Sequence, residues 1–237
     1  MKRRIYKTLP LATAMLLGLG LSGGTAYSAE EKTPAELNAD TVEYDMTTGD
    51  IAAEGDVLMK YGEARLAGQK ASYNLKTEKG KVEGNVIAMR DKLRVTADLL
   101  TVDGREHFTA QGNVHGTEED KEFLGQLIDY YPQQRGYVKI PGGGIVKNKD
   151  GTFTADSMEG WLEDEYYIGD GHAHLVSPPR DLEAGGDRVD YYGKEQSKAV
   201  LQGNAWAVQE NNTLRSNRLT IYLDNERDKL KVEPSEK

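Results

Sequence analysis

The chain has 237 residues, with 26 glycines, 13 tyrosines against 3 phenylalanines, no cysteine and a formal net charge of −9. It is long enough to bury a sizeable core, and its composition argues against disorder. Without cysteine, neither disulfides nor thiolate metal centres can hold the fold, so packing and strand pairing must.

At the N-terminus, Lys2, Arg3, Arg4 and Lys7 precede the apolar run LPLATAMLLGLGL (9–21), and Ala26-Tyr27-Ser28 offers small residues for cleavage. This predicts a secretory signal over 1–28, since the apolar run is shorter than the roughly 20 residues of a membrane-spanning helix. An uncleaved anchor is the alternative; a lipoprotein anchor would need a cysteine. Removing 1–28 takes four of the 30 Lys and Arg, leaving 26 against 39 Asp and Glu, a net of −13. So acidic a chain argues against nucleic acid as a partner.

After a polar lead-in (29–36) that includes EEKTPAE (30–36), the chain repeats itself. A first phrase occurs as ADTVEY (39–44), GQKASY (68–73), ADLLTV (97–102), GQLIDY (125–130), ADSMEG (155–160), GDRVDY (186–191) and SNRLTI (216–221), at intervals of 28 to 31 residues. A second phrase follows most of them: IAAEGDV (51–57), KVEGNV (81–86), FTAQGNV (108–114), and weaker forms in YIGDGHA (167–173) and VLQGNA (200–205). A fixed period of this length signals a repeat architecture.

Both phrases alternate with period two. In the first, Val42 and Tyr44 fall on one face against Thr41 and Glu43; in the second, Ile51, Ala53, Gly55, Val57 and Met59 oppose Ala52, Glu54, Asp56 and Leu58. That is the pattern of half-buried strand. Turn clusters such as DMTTGD (45–50), LKTEKG (75–80) and DNERD (224–228) separate the phrases. Each repeat is therefore a predicted antiparallel β-hairpin, and the chain an all-β protein of about seven tandem hairpins and roughly fourteen short strands.

Gly55, Gly84, Gly112, Gly171 and Gly203 stand inside the second strand, where glycine costs stability and marks a bulge or bend. A bend repeated in every hairpin would fold the stack into a V-shaped or rolled section with one apolar inner face. The alternative is a turn entered one residue early.

Elsewhere, functional motifs are incomplete. His172 and His174 in GHAH (171–174) lack a third convergent ligand in sequence and read as a solvated strand face. PGGGI (141–145) lacks the Lys-Ser/Thr of a phosphate loop and reads as a loop or bulge. TEEDKE (117–122) reads as a solvated acidic loop, and no Gly-x-Ser-x-Gly elbow occurs. Trp161 and Trp206 either flank a ligand mouth or pack on a strand face. No catalytic, metal or cofactor site is expected.

Tandem hairpins with A-D-x-apolar-x-Tyr followed by apolar-x-A-x-G-(Asp/Asn)-Val, behind a signal and without cysteine, resemble the OstA-like proteins of lipopolysaccharide transport, of the LptA type. The resemblance spans about 37–233. It is strong through 116 and weaker beyond, where YYPQQRGYVKIPGGG (130–144) and Pro178-Pro179 depart from it. It implies an open twisted β-jellyroll with an apolar interior groove that shelters the acyl chains of lipid A, domains abutting end to end as a bridge between inner and outer membranes across the periplasm; a short polar tail (234–237) follows the repeat region.

The residues carried over as groove lining are Val42, Tyr44, Ile51, Val57, Met59, Ala71, Tyr73, Val82, Val86, Leu100, Val102, Phe108, Val114, Ile128 and Tyr130. The same residues could instead fill a closed core. The resemblance implies lipopolysaccharide or a similar glycolipid as ligand and LptC-like and LptD-like jellyroll proteins as partners at unpaired edges, with head-to-tail self-association as a further possibility. Lys229, Lys231 and Pro234 in the last strand blunt that edge, which favours docking through the N-terminal one. Three other readings stand beside it: a membrane-anchored LptC-type partner, a β-solenoid enzyme acting on polysaccharide, and a structural envelope module without ligand.

Overall fold

The computed structural model describes residues 35–61, 63–104, 106–193, 196–223 and 231–232. The predicted signal, most of the polar lead-in, DNERD and the polar tail therefore lie outside the described residues. The chain divides into two compact units, up to Gly112 and from Asn113 onward.

The first unit holds β1 (Ala35–Asn38), β2 (Thr41–Tyr44), β3 (Asp50–Tyr61), β4 (Ala64–Asn74), β5 (Lys79–Arg90) and β6 (Leu93–Asp103), and the first half of β7 (His107–Glu118). β1 begins inside the predicted lead-in. Consecutive strands pair antiparallel, and β1 and β2 are two halves of one rung, both lying along β3. The first and second phrases of a repeat are the two strands of a hairpin, as expected: Tyr44 faces Ile51, and Tyr73 faces Gly80.

The second unit continues with β8 (Lys121–Tyr131), β9 (Tyr137–Ile140), β10 (Gly144–Asn148), β11 (Gly151–Ala155), β12 (Ser157–Trp161), β13 (Tyr166–Ser177), β14 (Leu182–Tyr192), β15 (Lys198–Gln209), β16 (Asn212–Tyr222) and β17 (Lys231–Val232). Again each strand pairs antiparallel with its neighbours. β9 and β10 both pair with β8, so the glycine-rich PGGGI is a rung broken in its middle. β11 and β12 both lie along β13 in the same manner. Pro178–Arg180 forms a 3-10 turn. Counting split rungs once, the described strands make the fourteen tracks that the repeats predict.

The strands are not short, however. Most run 11 or 12 residues, straight through the glycine that divides the sequence phrase. At each of the five repeated glycines the backbone turns into two successive residues of positive φ, for example Gly112 (78°) with Asn113 (46°) and Gly84 (82°) with Asn85 (50°). Where the register is given, it shifts at the same point, as between Glu54 and Val57 or Gln202 and Ala205. These are β-bulges that bend a continuous strand.

A second feature locks each bend. The Asp or Gln of the first phrase lies over the glycine of the second: Asp40 over Gly55, Gln69 over Gly84, Asp98 over Gly112, Asp156 over Gly171 and Asp187 over Gly203. Backbone bonds tie the pair, with Asp40 N–H donating to Gly55 O (2.9 Å) and Asp156 N–H to Gly171 O (2.8 Å). The next side chain reaches back as well: Asn204 Nδ2 donates to both carboxylate oxygens of Asp187, and His172 Nδ1 lies 2.7 Å from Asp156 Oδ2. Both halves of the repeated phrase thus meet at one corner.

In the first unit the bulges divide the inner face into two halves. One carries the rows Ile51–Tyr73–Gly80–Val102 and Ala53–Ala71–Val82–Leu100; the other carries Met59–Leu66–Ala88–Val95. The apolar members of these rows are buried, Leu66 at 0% exposure. Both halves of the inner face are buried.

On the outward face of the second unit, Tyr131, Tyr137, Trp161, Tyr166 and Tyr192 stand opposite one another across five successive strands. Their ring centroids are 4.7 to 5.7 Å apart, and Lys198 Nζ caps the row 5.1 Å from the Tyr192 centroid. Each such contact contributes about 1 kcal/mol beyond area burial. Trp161→Ala removes two of them and is expected to destabilise the protein by about 2 kcal/mol, read from urea unfolding; an effect below about 0.5 kcal/mol would show that the ladder is decorative.

Candidate functional site

The inward residues of the first unit are brought together much as the alternation requires. Ile51, Val57, Met59, Ala71, Tyr73, Val82, Val86, Leu100, Val102 and Phe108 are all buried. In the second unit Val114 and Ile128 are buried and Tyr130 is half-buried.

Two of the expected lining residues stand on the inner rows but are not covered. Val42 and Tyr44 are 48% and 49% exposed. Among the described residues β2 pairs with β3 alone, so nothing flanks its other side and its inward side chains have no neighbouring strand to cover them. Met46 continues this exposed apolar run beyond the strand.

Other inward residues escaped the sequence reading. Leu66, Ala88 and Val95 form the inner row beyond the bulge, and Ile140, Met158, Val189, Leu201 and Leu219 are buried in the second unit. Their signal was present, because period-two alternation runs on past the repeated phrases.

At the β2 margin a cleft of about 520 Å³ lies mainly on the face opposite the inner rows, where Glu43–Ala52–Ser72 and Asp50–Asn74–Lys79 stand in register. Glu43, Asp45, Asp50, Ser72, Asn74 and Lys79 give it a polar lining, with Ala52, Tyr44 and the buried Ile51 and Tyr73 beside them. Asp45 accepts bonds from the backbone N–H of Thr48 and Thr47, which hold its carboxyl below the usual range. Asp50 accepts from Asn74 Nδ2 at 2.6 Å; that bond, followed by the one involving Thr48, depresses it too. Lys79 is bridged to Asp103 at 2.9 Å. The rim therefore stays anionic at neutral pH, which suits it poorly to a phosphate.

The histidines of GHAH engage different carboxylates: His172 pairs with Asp156, and His174 Nε2 lies 2.9 Å from Glu183 Oε1. Among the described residues no three His, Asp or Glu side chains gather as a metal site would require. Trp206 packs beside His174 at 5.7 Å, and Trp161 stands in the aromatic ladder, so both pack on strand faces. In TEEDKE, Glu122 is bridged to His115 and Lys147.

This geometry defines a class: an all-β protein of bulge-bent antiparallel hairpins with an apolar inner face that is left uncovered at its N-terminal edge strand. No protein-family model matches the chain. It is 22% identical over 155 residues, 65% of its own length and 78% of the relative's, to the lipopolysaccharide export system protein LptH of Pseudomonas aeruginosa. The crystal structure of LptH, described as the LptA-homologous periplasmic component of that organism's lipopolysaccharide transport device, superposes with a TM-score of 0.40 and 17% identity over 45% of this chain and 82% of that one. That overlap is too slight to establish a shared fold by itself. The resemblance read from the repeats nonetheless stands, with a relative of the LptA type on the sequence side.

Proposed function

We propose that this protein is a periplasmic lipopolysaccharide carrier of the LptA type, sheltering lipid A acyl chains non-covalently on their way between the inner and outer membranes. The observation that carries the reading is the apolar inner face of the first unit, whose buried rows Ile51–Tyr73 and Ala53–Ala71 are continued at the β2 edge by the exposed Tyr44 and Val42. An acyl chain exposed to water costs about 0.8 kcal/mol per methylene, so a dozen carbons need shelter on the order of 10 kcal/mol. A bent sheet with one apolar face provides that without chemistry, and the role is not enzymatic.

The chain enters the periplasm through a signal peptide cleaved after residue 28, and residues 37–233 form the functional repeat region. The edge of β2, with Val42, Tyr44 and Met46 exposed, is where an LptC-like or LptD-like jellyroll partner adds a strand. N-terminal sequencing of the exported protein separates this carrier from a membrane-anchored partner that retains residues 9–21.

A photo-activatable residue placed at Tyr73, in cells making lipopolysaccharide, is expected to give a glycolipid adduct, while the same probe at the outward Lys81 gives none. Absence of an adduct at Tyr73 would favour the second reading, a packed structural module, for which the near-complete burial of Val57, Met59 and Leu66 speaks.

A further inference from the structure

A glycolipid has phosphates as well as acyl chains, and the acidic rim of the cleft is the wrong place for them. The opposite margin of the first unit is different. There Glu36, Lys60, Arg65, Met89 and Arg94 stand directly opposite one another across β1, β3, β4, β5 and β6. Arg65, Met89 and Arg94 are exposed, Met89 at 41%, and the Lys60 side chain is 40% exposed. Their sequence neighbours Met59, Leu66, Ala88 and Val95 form the buried inner row, so the basic row is the outward side of the same strand ends.

Two features are costly unless they serve a ligand. Lys60 and Arg65 are like charges facing each other in register, an arrangement that destabilises a sheet. Arg65 and Arg94 have no hydrogen bond or ion pair among the described residues, in a chain whose net charge is −9. Acids nearby do little to neutralise the row. Glu36 reaches Lys60 only at 4.0 Å, Asp91 lies 3.8 Å from Arg90, and Glu63 is exposed in the turn before β4.

We infer that Lys60, Arg65 and Arg94 form a binding site for the phosphate groups of the glycolipid head, an inference that rests on the carrier reading and deepens it. Guanidinium forks match phosphate oxygens in pairs, which an ammonium alone does not. Adjacent strands are about 4.8 Å apart, so Lys60 and Arg65 can close on one phosphate while Arg94, about 10 Å from Arg65 across two strand spacings, meets a second. Met89 between them offers an apolar surface to the sugar that links the phosphates. Each residue is next to the last or first of its strand, so chains lying along Met59 and Leu66 need pass only the strand end to put the head over the row.

The test compares equilibrium binding of bis-phosphorylated lipid A and dephosphorylated lipid A to the full exported chain and to its Arg65→Glu/Arg94→Glu variant, at about 0.1 M salt, where exposed charges are only partly screened. The wild type is expected to prefer the phosphorylated lipid by about tenfold or more. The variant loses that preference and binds the dephosphorylated lipid as the wild type does; Arg65→Gln/Arg94→Gln loses most of it. An undiminished preference in both variants would overturn the site while leaving the carrier intact. Displacement of lipid by inorganic pyrophosphate at matching concentration would reassign the row to free anions. Failure of the wild type to bind either lipid would overturn carrier and site together.

Discussion

Gly112→Val lowers the unfolding free energy of the protein by about 3 kcal/mol, through two effects that act at one atom. The backbone at Gly112 sits at φ 78°, where a β-branched residue is strained by about 1–3 kcal/mol. A Cβ there would also lie 2.8 Å from Asp98 Cβ, which belongs to the backbone-fixed part of that side chain and cannot swing away. The two are separable. Asp98→Gly in the Gly112→Val background removes the collision and leaves the φ strain, so it should restore only part of the loss. Gly84→Val behaves alike, because Gln69 Cβ lies 2.9 Å from the corresponding Cβ even though the amide at its far end can rotate away. Urea unfolding of the full chain checks this; a loss below about 1 kcal/mol at both positions would mean that the corners relax and that the repeated glycine has another cause.

The same corner shows what a sequence can and cannot convey. That Gly112 bends its strand was legible, since glycine inside an alternating run has few other uses. That Asp98 lies over it was not. Both stand in the repeated phrases, fourteen residues apart, but contact follows only from the hairpin register, which depends on turn geometry between them. Val42 and Tyr44 make the complementary point. Their alternation is identical to that of Ala71 and Tyr73, yet the latter are buried because β4 has a strand on each side and β2 has one. Periodicity reports which side chains share a face; strand neighbours decide whether the face is covered. The aromatic ladder was wholly hidden, since Tyr137 and Trp161 are brought opposite by a rung broken at PGGGI and by unequal loops. So was the basic row, for Lys60, Arg65 and Arg94 lie in no repeated phrase and gain meaning only from register.

Asp190→Ala destabilises the second unit by about 3 kcal/mol at neutral pH, the lower end for breaking a buried charge pair. Asp190 is 4% exposed on a strand whose neighbours in the ladder are Ile168 and Val200. Its oxygens accept from Arg188 Nε (3.0 Å) and Nη2 (2.8 Å), the Tyr166 hydroxyl (2.7 Å) and Gln202 Nε2 (2.9 Å). Burial pushes its carboxyl up, but the Arg188, Tyr166 and Gln202 bonds outweigh burial and hold it below the ordinary value of 3.8. Removing the carboxylate strands the Tyr166 and Gln202 donors and leaves Arg188 without its counter-charge; because the Arg188 side chain is 39% exposed, water recovers part of that loss. The pH dependence has a definite sign. A carboxyl depressed on folding contributes stability that is fully present above about 3.8 and is lost as pH falls through the lower folded-state value. The gap between wild type and Asp190→Ala should therefore be constant from pH 8 to about 5 and narrow below about 4, as protonation removes from the wild type what the substitution has already taken. A gap that persists undiminished at acid pH would show that Asp190 acts through packing, and the bonds it accepts would then be secondary to the space it fills.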